Sequence, residues 1–383
     1  MGGTKNALAL PYSINIANPA SYGFLPLPTL DVGFTGQYLT LSYSNSIQKT
    51  NNAYFKNMVF AFPVSKRWWN SSFGLVPFSK TGYSISSTDT VENFGIVNYS
   101  YKGRGGIHRA FIGNSLNILK DSVQQLSIGM NVSYLFGTIE KTKKIIPDAA
   151  LQTFNTKVQN STTVGDFYFD GGMIYSRKIN NKLNFSVGAI YQIAKNVRAE
   201  KTTLAETFTG SGINEDIKDT IVADTLKNTI FIPAKIGAGL SVFYNNRWLF
   251  ILDYSMQDWT KFKDFGEKNP MAKQEEISLG VQYNYNSKER EIFFKMLSYR
   301  GGIRYNKTPF FVKNRQLREF GITFGMGIPV GEKSKGTFNL AVENGIRGEN
   351  KNGLISERFT NIIFGFSFTP TFYDRWFAKP KID

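Results

Sequence analysis

The stretch Ile277-Ser-Leu-Gly-Val-Gln-Tyr-Asn-Tyr285 puts Ile277, Leu279, Val281, Tyr283 and Tyr285 on one face of an extended chain. Ser278, Gly280, Gln282 and Asn284 fall on the other. Period two marks a strand lying between an apolar and a polar medium. The alternation recurs along nearly the whole sequence and predicts about fourteen strands. They are expected near 29–44, 53–65, 68–82, 91–117, 122–140, 160–178, 182–199, 228–244, 247–260, 273–286, 292–308, 317–330, 336–348 and 356–372. Each is at least as long as the roughly nine to eleven residues that a tilted strand needs to cross hydrocarbon.

The connections sort into two sets. Long ones hold 45–52, 83–90, 141–159, 200–227, 261–272, 309–316 and 349–355, and they alternate with tighter turns at Lys66-Arg67, 117–121, Asn180-Asn181, Asn245-Asn246, 286–290 and 331–335. Short periplasmic turns facing longer extracellular loops are the habit of bacterial outer-membrane barrels. The predicted fold is therefore an all-β, 14-stranded antiparallel transmembrane β-barrel with both termini in the periplasm. Trp68, Trp69, Trp248 and Trp376 fall at the short-turn end and Trp259 at the long-loop end, as two interfacial aromatic girdles would require.

Composition narrows the function. Aromatic residues make up 15% of the 383, with 33 Phe and 19 Tyr, and there are 35 Gly, a mixture that suits lipid-facing rings alternating with small lumen residues. No apolar run approaches the roughly 18 residues of a spanning helix. The absence of cysteine removes disulfides, thiolate metal sites and cysteine nucleophiles, and the single histidine, His108, removes most metal and catalytic-triad constellations. No enzymatic activity, metal or cofactor is expected. His108 reads as a lumen or rim residue making one hydrogen bond, beside a kink at Gly103-Arg-Gly-Gly106. The net charge of +16 comes from dispersed, mostly turn-borne lysines and arginines, which suits anionic headgroups and not nucleic acid. Asn6-Ala-Leu-Ala-Leu-Pro11 is too short for a secretory leader, so a processed chain is expected.

The first 28 residues do not alternate, and Pro11 and Pro19 bar them from a spanning strand. They are too apolar for a free tail, so residues 1–28 are expected to fold back into the lumen as a plug, with 29–372 as the barrel and 373–383 as a periplasmic tail. Met1-Gly2-Gly3, then Asn18-Pro19-Ala20, then a first strand at Leu30-Asp-Val-Gly33, resembles the FadL family of long-chain fatty-acid and hydrocarbon transporters. In that resemblance Asn18, Pro19 and Ala20 are the hatch motif. The tail Arg375-Trp-Phe-Ala-Lys-Pro-Lys-Ile-Asp383 departs from the pattern and looks like tails on barrels of the Bacteroidota, where FadL-like barrels also serve in protein-secretion machinery.

In Ser72-Phe-Gly-Leu-Val-Pro-Phe-Ser79, Pro77 cannot donate to a ladder and Gly74 weakens packing. The resemblance implies that Gly74 and Pro77 line a lateral gate. The residues alone equally fit a bulge near the rim, and Pro233 poses the same question. Strand parity sends Asp166, Asp170, Lys235, Asp253, Arg300, Arg304 and Glu343 into the lumen. Ion-pair ladders are the first expectation. The sharper one is that Lys235, Arg300 or Arg304 meets a ligand carboxylate. The expected function is thus a FadL-type outer-membrane channel taking up long-chain fatty acids or other hydrophobic compounds, with outer-membrane lipid around it. The alternative is a subunit or cargo shuttle of an outer-membrane protein complex for secretion or assembly.

Overall fold

The computed structural model describes residues 1–43, 46–65, 67–92, 95–148, 153–210, 214–285, 293–312, 314–330, 336–349 and 356–370. Within them, fourteen antiparallel wall strands follow one another in chain order and close on themselves. They are β1 (Thr29–Tyr43), β2 (Ser46–Ser65), β3 (Trp69–Lys80, continued by Tyr83–Val91), β4 (Gly95–Lys120) and β5 (Gln124–Pro147). Next come β6 (Asn155–Lys178), β7 (Leu183–Gln192 and Lys195–Thr209), β8 (Asp216–Ile232 and Lys235–Tyr244), β9 (Trp248–Asp258) and β10 (Lys273–Asn284). The ring ends with β11 (Ser298–Val312), β12 (Arg315–Val330), β13 (Gly336–Gly348) and β14 (Ser356–Phe368). β14 pairs with β1 from Leu30–Phe368 to Ser42–Ser356, which closes the wall. Among the described residues no helix is long and apolar enough to cross a membrane.

Burial is inverted relative to a water-soluble sandwich. On β5, Ser127, Asn131 and Ser133 are buried while Ile128, Met130 and Tyr134 are exposed. On β10, Glu276, Ser278 and Gln282 are buried while Ile277 and Leu279 are exposed, the same two faces that the alternation separates. A wall with polar residues inside and apolar residues outside is at rest only with hydrocarbon around it.

The strands run further toward the long-loop end than the hydrophobic pattern predicts. β2 begins at Ser46, β5 continues to Pro147, β6 begins at Asn155, and β7 and β8 pair from Ile232–Lys195 up to Asp216–Thr209. The expected loops 45–52, 83–90, 141–159 and 200–227 are thus mostly ladder where described, and within 309–316 β11 runs to Val312 and β12 starts at Arg315. The cause is legible in Thr156-Lys-Val-Gln-Asn-Ser-Thr-Thr163: both faces are largely polar, so the periodic signal fades where both meet water while backbone pairing persists. β11 starts at Ser298 rather than 292, because Phe293–Met296 forms a single helical turn, and β14 ends at Phe368 rather than 372. Asn245 and Asn246 carry the β8–β9 turn at φ 52° and 53°, which asparagine tolerates. The expected turns at 286–290 and 331–335, Trp376 and the tail 373–383 lie outside the described residues.

Residues 1–28 lie across the lumen and bond to inward residues around the wall. The Gly2 amide donates to Thr323 Oγ1 of β12 at 2.7 Å, and the Asn6 amide to Asp253 of β9 at 2.7 Å. The Ile14 amide donates to Asp31 of β1 at 2.8 Å, and Ser127 Oγ of β5 donates to the Ala20 carbonyl at 2.8 Å. Asn18 is fully buried; its side chain donates to the Asn6 carbonyl at 2.6 Å and accepts from the Ala20 amide, capping the 3-10 turn Pro19–Phe24 with Pro19 in first position. Wall glycines make room: a Cβ on Gly129 would collide with the Pro19 carbonyl carbon and the Ala20 nitrogen. Gly129→Val is therefore expected to leave the outer wall closed while releasing the Pro19–Phe24 turn, read as loss of amide-exchange protection at Ala20–Gly23. Unchanged protection there would contradict this packing.

Candidate functional site

The β3 strand positions the site. Its ladder with β2 runs from Ser65–Trp69 to Met58–Leu75. Beyond that pair, among the described residues, β2 up to Ser46 pairs with β1 alone, and β3 from Val76 to Lys80, like its continuation Tyr83–Val91, pairs with β4 alone. The change falls at Pro77, which has no N–H to offer, and beside a register shift between Pro77 and Ser79 on the β4 side. Gly74 sits just below it, where a Cβ would stand 2.5 Å from the Met58 carbonyl oxygen, so the position admits no side chain without a shift of β2. Above it, Lys80 Nζ rests 3.1 Å from the centre of the Tyr54 ring, a side-chain contact where backbone pairs are absent.

A cavity of 830 Å³ lies inside the wall at this height. Val76, Pro77 and Phe78 form its β3 side, and Tyr168, Val197 and Ile232 belong to its apolar lining. Phe78 meets Tyr168 edge-on with ring centres 5.6 Å apart. The charged residues lining the cavity are all basic: Lys5, Lys56, Arg109 and Lys235. Arg109 is neutralised by Asp170 at 2.8 Å, and Lys5 by Glu276 at 3.3 Å. On the outer side of Gly74, an apolar hollow of 560 Å³ opens between Met58, Phe73, Leu75 and Tyr134.

The three basic residues singled out for a ligand carboxylate do not meet. Lys235 lines the cavity. Arg300 and Arg304 lie in a polar cleft with Asp31 and Glu343. Arg300 donates to Gln282 at 2.9 Å and Asn339 at 2.6 Å, and Arg304 pairs with Glu319 and Glu343, each at 2.7 Å. Parity selects inward residues correctly but cannot tell which side of the lumen they share. Asp166 is bonded by Lys195 and Arg198, and Asp253 by the Lys5 and Asn6 amides, so the expected ion-pair and plug contacts are present. Lys5, Lys56 and Arg109 were not singled out. Lys56 had a signal: Tyr54-Phe-Lys-Asn-Met58 breaks the alternation at a register shift of the β1–β2 ladder.

Other expectations are corrected. His108 faces outward, 5.9 Å from the Phe136 ring, since Ile107 and Arg109 take the inward positions. Trp259 lines the cavity and donates to Gln274 at 3.0 Å instead of joining a girdle, because β9 ends at Asp258 and the chain turns inward. Pro233 separates the two segments of β8, and Gln257 bonds its carbonyl at 2.8 Å. Within the segment expected to kink, Gly105 has a φ of 94° while the β4–β5 ladder runs through Gly103–Gly106 without a register shift. Burial pushes the Tyr22 phenol of the N-terminal segment up, with Asp170 adding to the shift. In the β4–β5 turn, the Val123 and Gln124 amides hold the Asp121 carboxyl below its ordinary value. No group of residues that could hold a metal ion occurs among the described residues.

A family model described as BamG matches residues 1–383. The chain belongs to the BamG family. No curated protein matches its sequence. The fold is that of FadL-type barrels. The toluene transporter TbuX of Ralstonia pickettii is 14% identical with a TM-score of 0.64, covering 96% of each chain. The toluene transporter TodX of Pseudomonas putida is 18% identical with a TM-score of 0.62, covering 97% of this chain and 96% of its own. A Pseudomonas aeruginosa FadL homologue is 10% identical with a TM-score of 0.61, again covering 97% and 96%. At these identities the likeness is one of fold.

The Arg109–Asp170 pair is the most deeply buried ion pair of the site, with Asn131 also bonding Asp170 at 2.7 Å. Arg109→Met leaves that carboxylate buried without its cation and is expected to cost about 3 kcal/mol. Urea unfolding in detergent measures it, and a midpoint equal to that of the parent would contradict the role assigned to the pair.

Proposed function

We propose that this chain is an outer-membrane channel for a hydrophobic compound with an anionic end, with long-chain fatty acids as the reference ligand. The ligand enters from the long-loop end, rests in the cavity above the N-terminal segment, and leaves sideways into the membrane between β2 and β3. The N-terminal segment acts as the plug that denies it a straight path. The observation carrying this reading is the end of the β2–β3 ladder at Met58–Leu75, beside a cavity that has apolar walls and only basic charges. In hydrocarbon, unpaired backbone is tolerated only where it lines a cavity or an opening. The toluene transporters of the same fold support a hydrophobic cargo by analogy.

In this reading Lys235 and Lys56 meet the carboxylate, while Arg300 and Arg304 hold the wall. Lys235→Met is expected to weaken binding of a fatty acid about tenfold and to leave its methyl ester unaffected, as measured by calorimetry in detergent. Equal loss for acid and ester would remove the charge role. The absence of native cysteine makes the exit testable: Lys56→Cys with Ser79→Cys, joined by a bis-maleimide, should abolish uptake into cells. Undiminished uptake by the joined protein would contradict a sideways exit.

A second reading is favoured by the long-loop end. Among the described residues Tyr83–Val91 pairs only with β4 there, and Ile85, Ile217, Ile221 and Leu226 are exposed on the extended strands. Such an edge suits a protein partner, so the same barrel would serve as a subunit of an outer-membrane complex. Mild purification from the native membrane tests it: a stoichiometric partner lost on removing 83–91 supports this reading, and a lone barrel contradicts it.

A further inference from the structure

The outward faces of β12 and β14 end in cations that form no ion pair among the described residues. On β12 the outward residues are Ile328, Met326, Phe324, Ile322 and Phe320, followed by Arg318. Phe324 is 70% exposed, the largest value among them. On β14 the outward series Phe366, Phe364, Ile362 and Thr360 ends at Arg358. The run from Phe320 to Ile328 matches the length of tilted strand that crosses hydrocarbon, so Arg318 stands where headgroups begin.

Other cations at this end have protein partners. Lys307 pairs with Glu275 at 2.8 Å, and Arg347 pairs with Glu319 and Glu357. Arg315, Arg318 and Arg358 are exposed and form no ion pair among the described residues. A pocket of 560 Å³ lies between them and the apolar column. Tyr305, Phe320 and Ile346 form its apolar part, and Arg315, Gln316, Arg318, Glu319 and Glu349 its polar part. Arg358 is the register partner of Ile346, which places it beside the pocket on β14.

We propose that this pocket is a site for a membrane lipid with a phosphate-bearing headgroup, phosphate against Arg315, Arg318 and Arg358 and acyl chains along Phe320, Ile322 and Phe324. Guanidinium groups grip phosphate through paired N–H donors; Arg318 and Arg358 end the apolar columns of β12 and β14, and Arg315 stands beyond them at the start of β12. Of the two acidic residues in its lining, Glu319 is already paired with Arg304 and Arg347, which leaves Glu349 against Arg315 and Arg318, with Arg358 alongside. The site is on the outer face of the wall, so it is separate from the cavity and does not depend on the transport reading.

The full chain in detergent, titrated with phosphatidic acid and followed by native mass spectrometry, tests the proposal. Phosphatidylcholine serves as the neutral-headgroup control and inorganic phosphate as the free anion. Phosphatidic acid is expected to bind the parent at least about tenfold more tightly than the triple variant Arg315→Gln/Arg318→Gln/Arg358→Gln, with Arg318→Gln alone giving a smaller loss. Neither control should displace it at equal concentration. Heat-modifiable gel mobility confirms that each variant is a closed barrel, and the single variant carries the test if the triple one is not. Equal binding by parent and folded variants would overturn the proposal, and so would displacement by inorganic phosphate, which would mark a free-anion site.

Discussion

Every backbone N–H and C=O in the hydrocarbon must find a partner in the protein, and this constraint organises the whole molecule. A closed antiparallel wall satisfies it everywhere that two neighbours exist, which is why β14 returns to β1 along the whole of their shared length. Once the wall is closed, its outward residues must be apolar and its inward residues are free to be polar. The inverted burial of β5 and β10 follows from that, as does a lumen in which Asp31, Asp253 and Thr323 are available to bind the backbone of an internal segment. The N-terminal segment has irregular backbone at membrane depth, and it is held there because these inward groups take over the partners that a ladder would supply.

Against that constraint, the interval above Met58–Leu75 is the exception. Pro77 removes a donor, Gly74 leaves no room for a side chain just below, and the Lys80–Tyr54 contact bridges the space above. The cavity opens on the same interval, with the apolar hollow of the outer face on the far side of Gly74. A cavity, a break in the wall and an outer apolar hollow in one neighbourhood are the parts of a route. The two sides of the lumen differ: Arg304, Glu319, Glu343 and Arg347 neutralise one another, while the cavity is lined by Lys235 and by Lys56, which it shares with the polar cleft, beside the paired Lys5 and Arg109.

Much of the wall could be read from the sequence, because period two survives wherever lipid lies on one side and lumen on the other. Ile277–Tyr283 is an example in which each residue falls on the face its parity demands. The reading lost the strands beyond the membrane, where Lys201-Thr-Thr-Leu-Ala-Glu-Thr207 has polar residues on both faces and only the backbone ladder holds it in place. The site was half legible. Pro77 and Gly74 announce themselves by chemistry, and Asn18 by its place before Pro19. The grouping of Lys235 with Lys56 and Lys5, and its separation from Arg300 and Arg304, depends on which strands face each other across the bore. That is set by ring closure and by the path of the N-terminal segment, neither of which a local pattern encodes.

The most direct measurement is an experimental structure of the barrel in a lipid nanodisc with a long-chain fatty acid bound. The account predicts density for the alkyl chain running from the cavity between Asn57 and Ser79 toward the outer hollow at Leu75, with residues 1–28 in place. An unbroken β2–β3 ladder past Pro77, or an alkyl chain passing down through the Asn18–Ala20 turn, would contradict it.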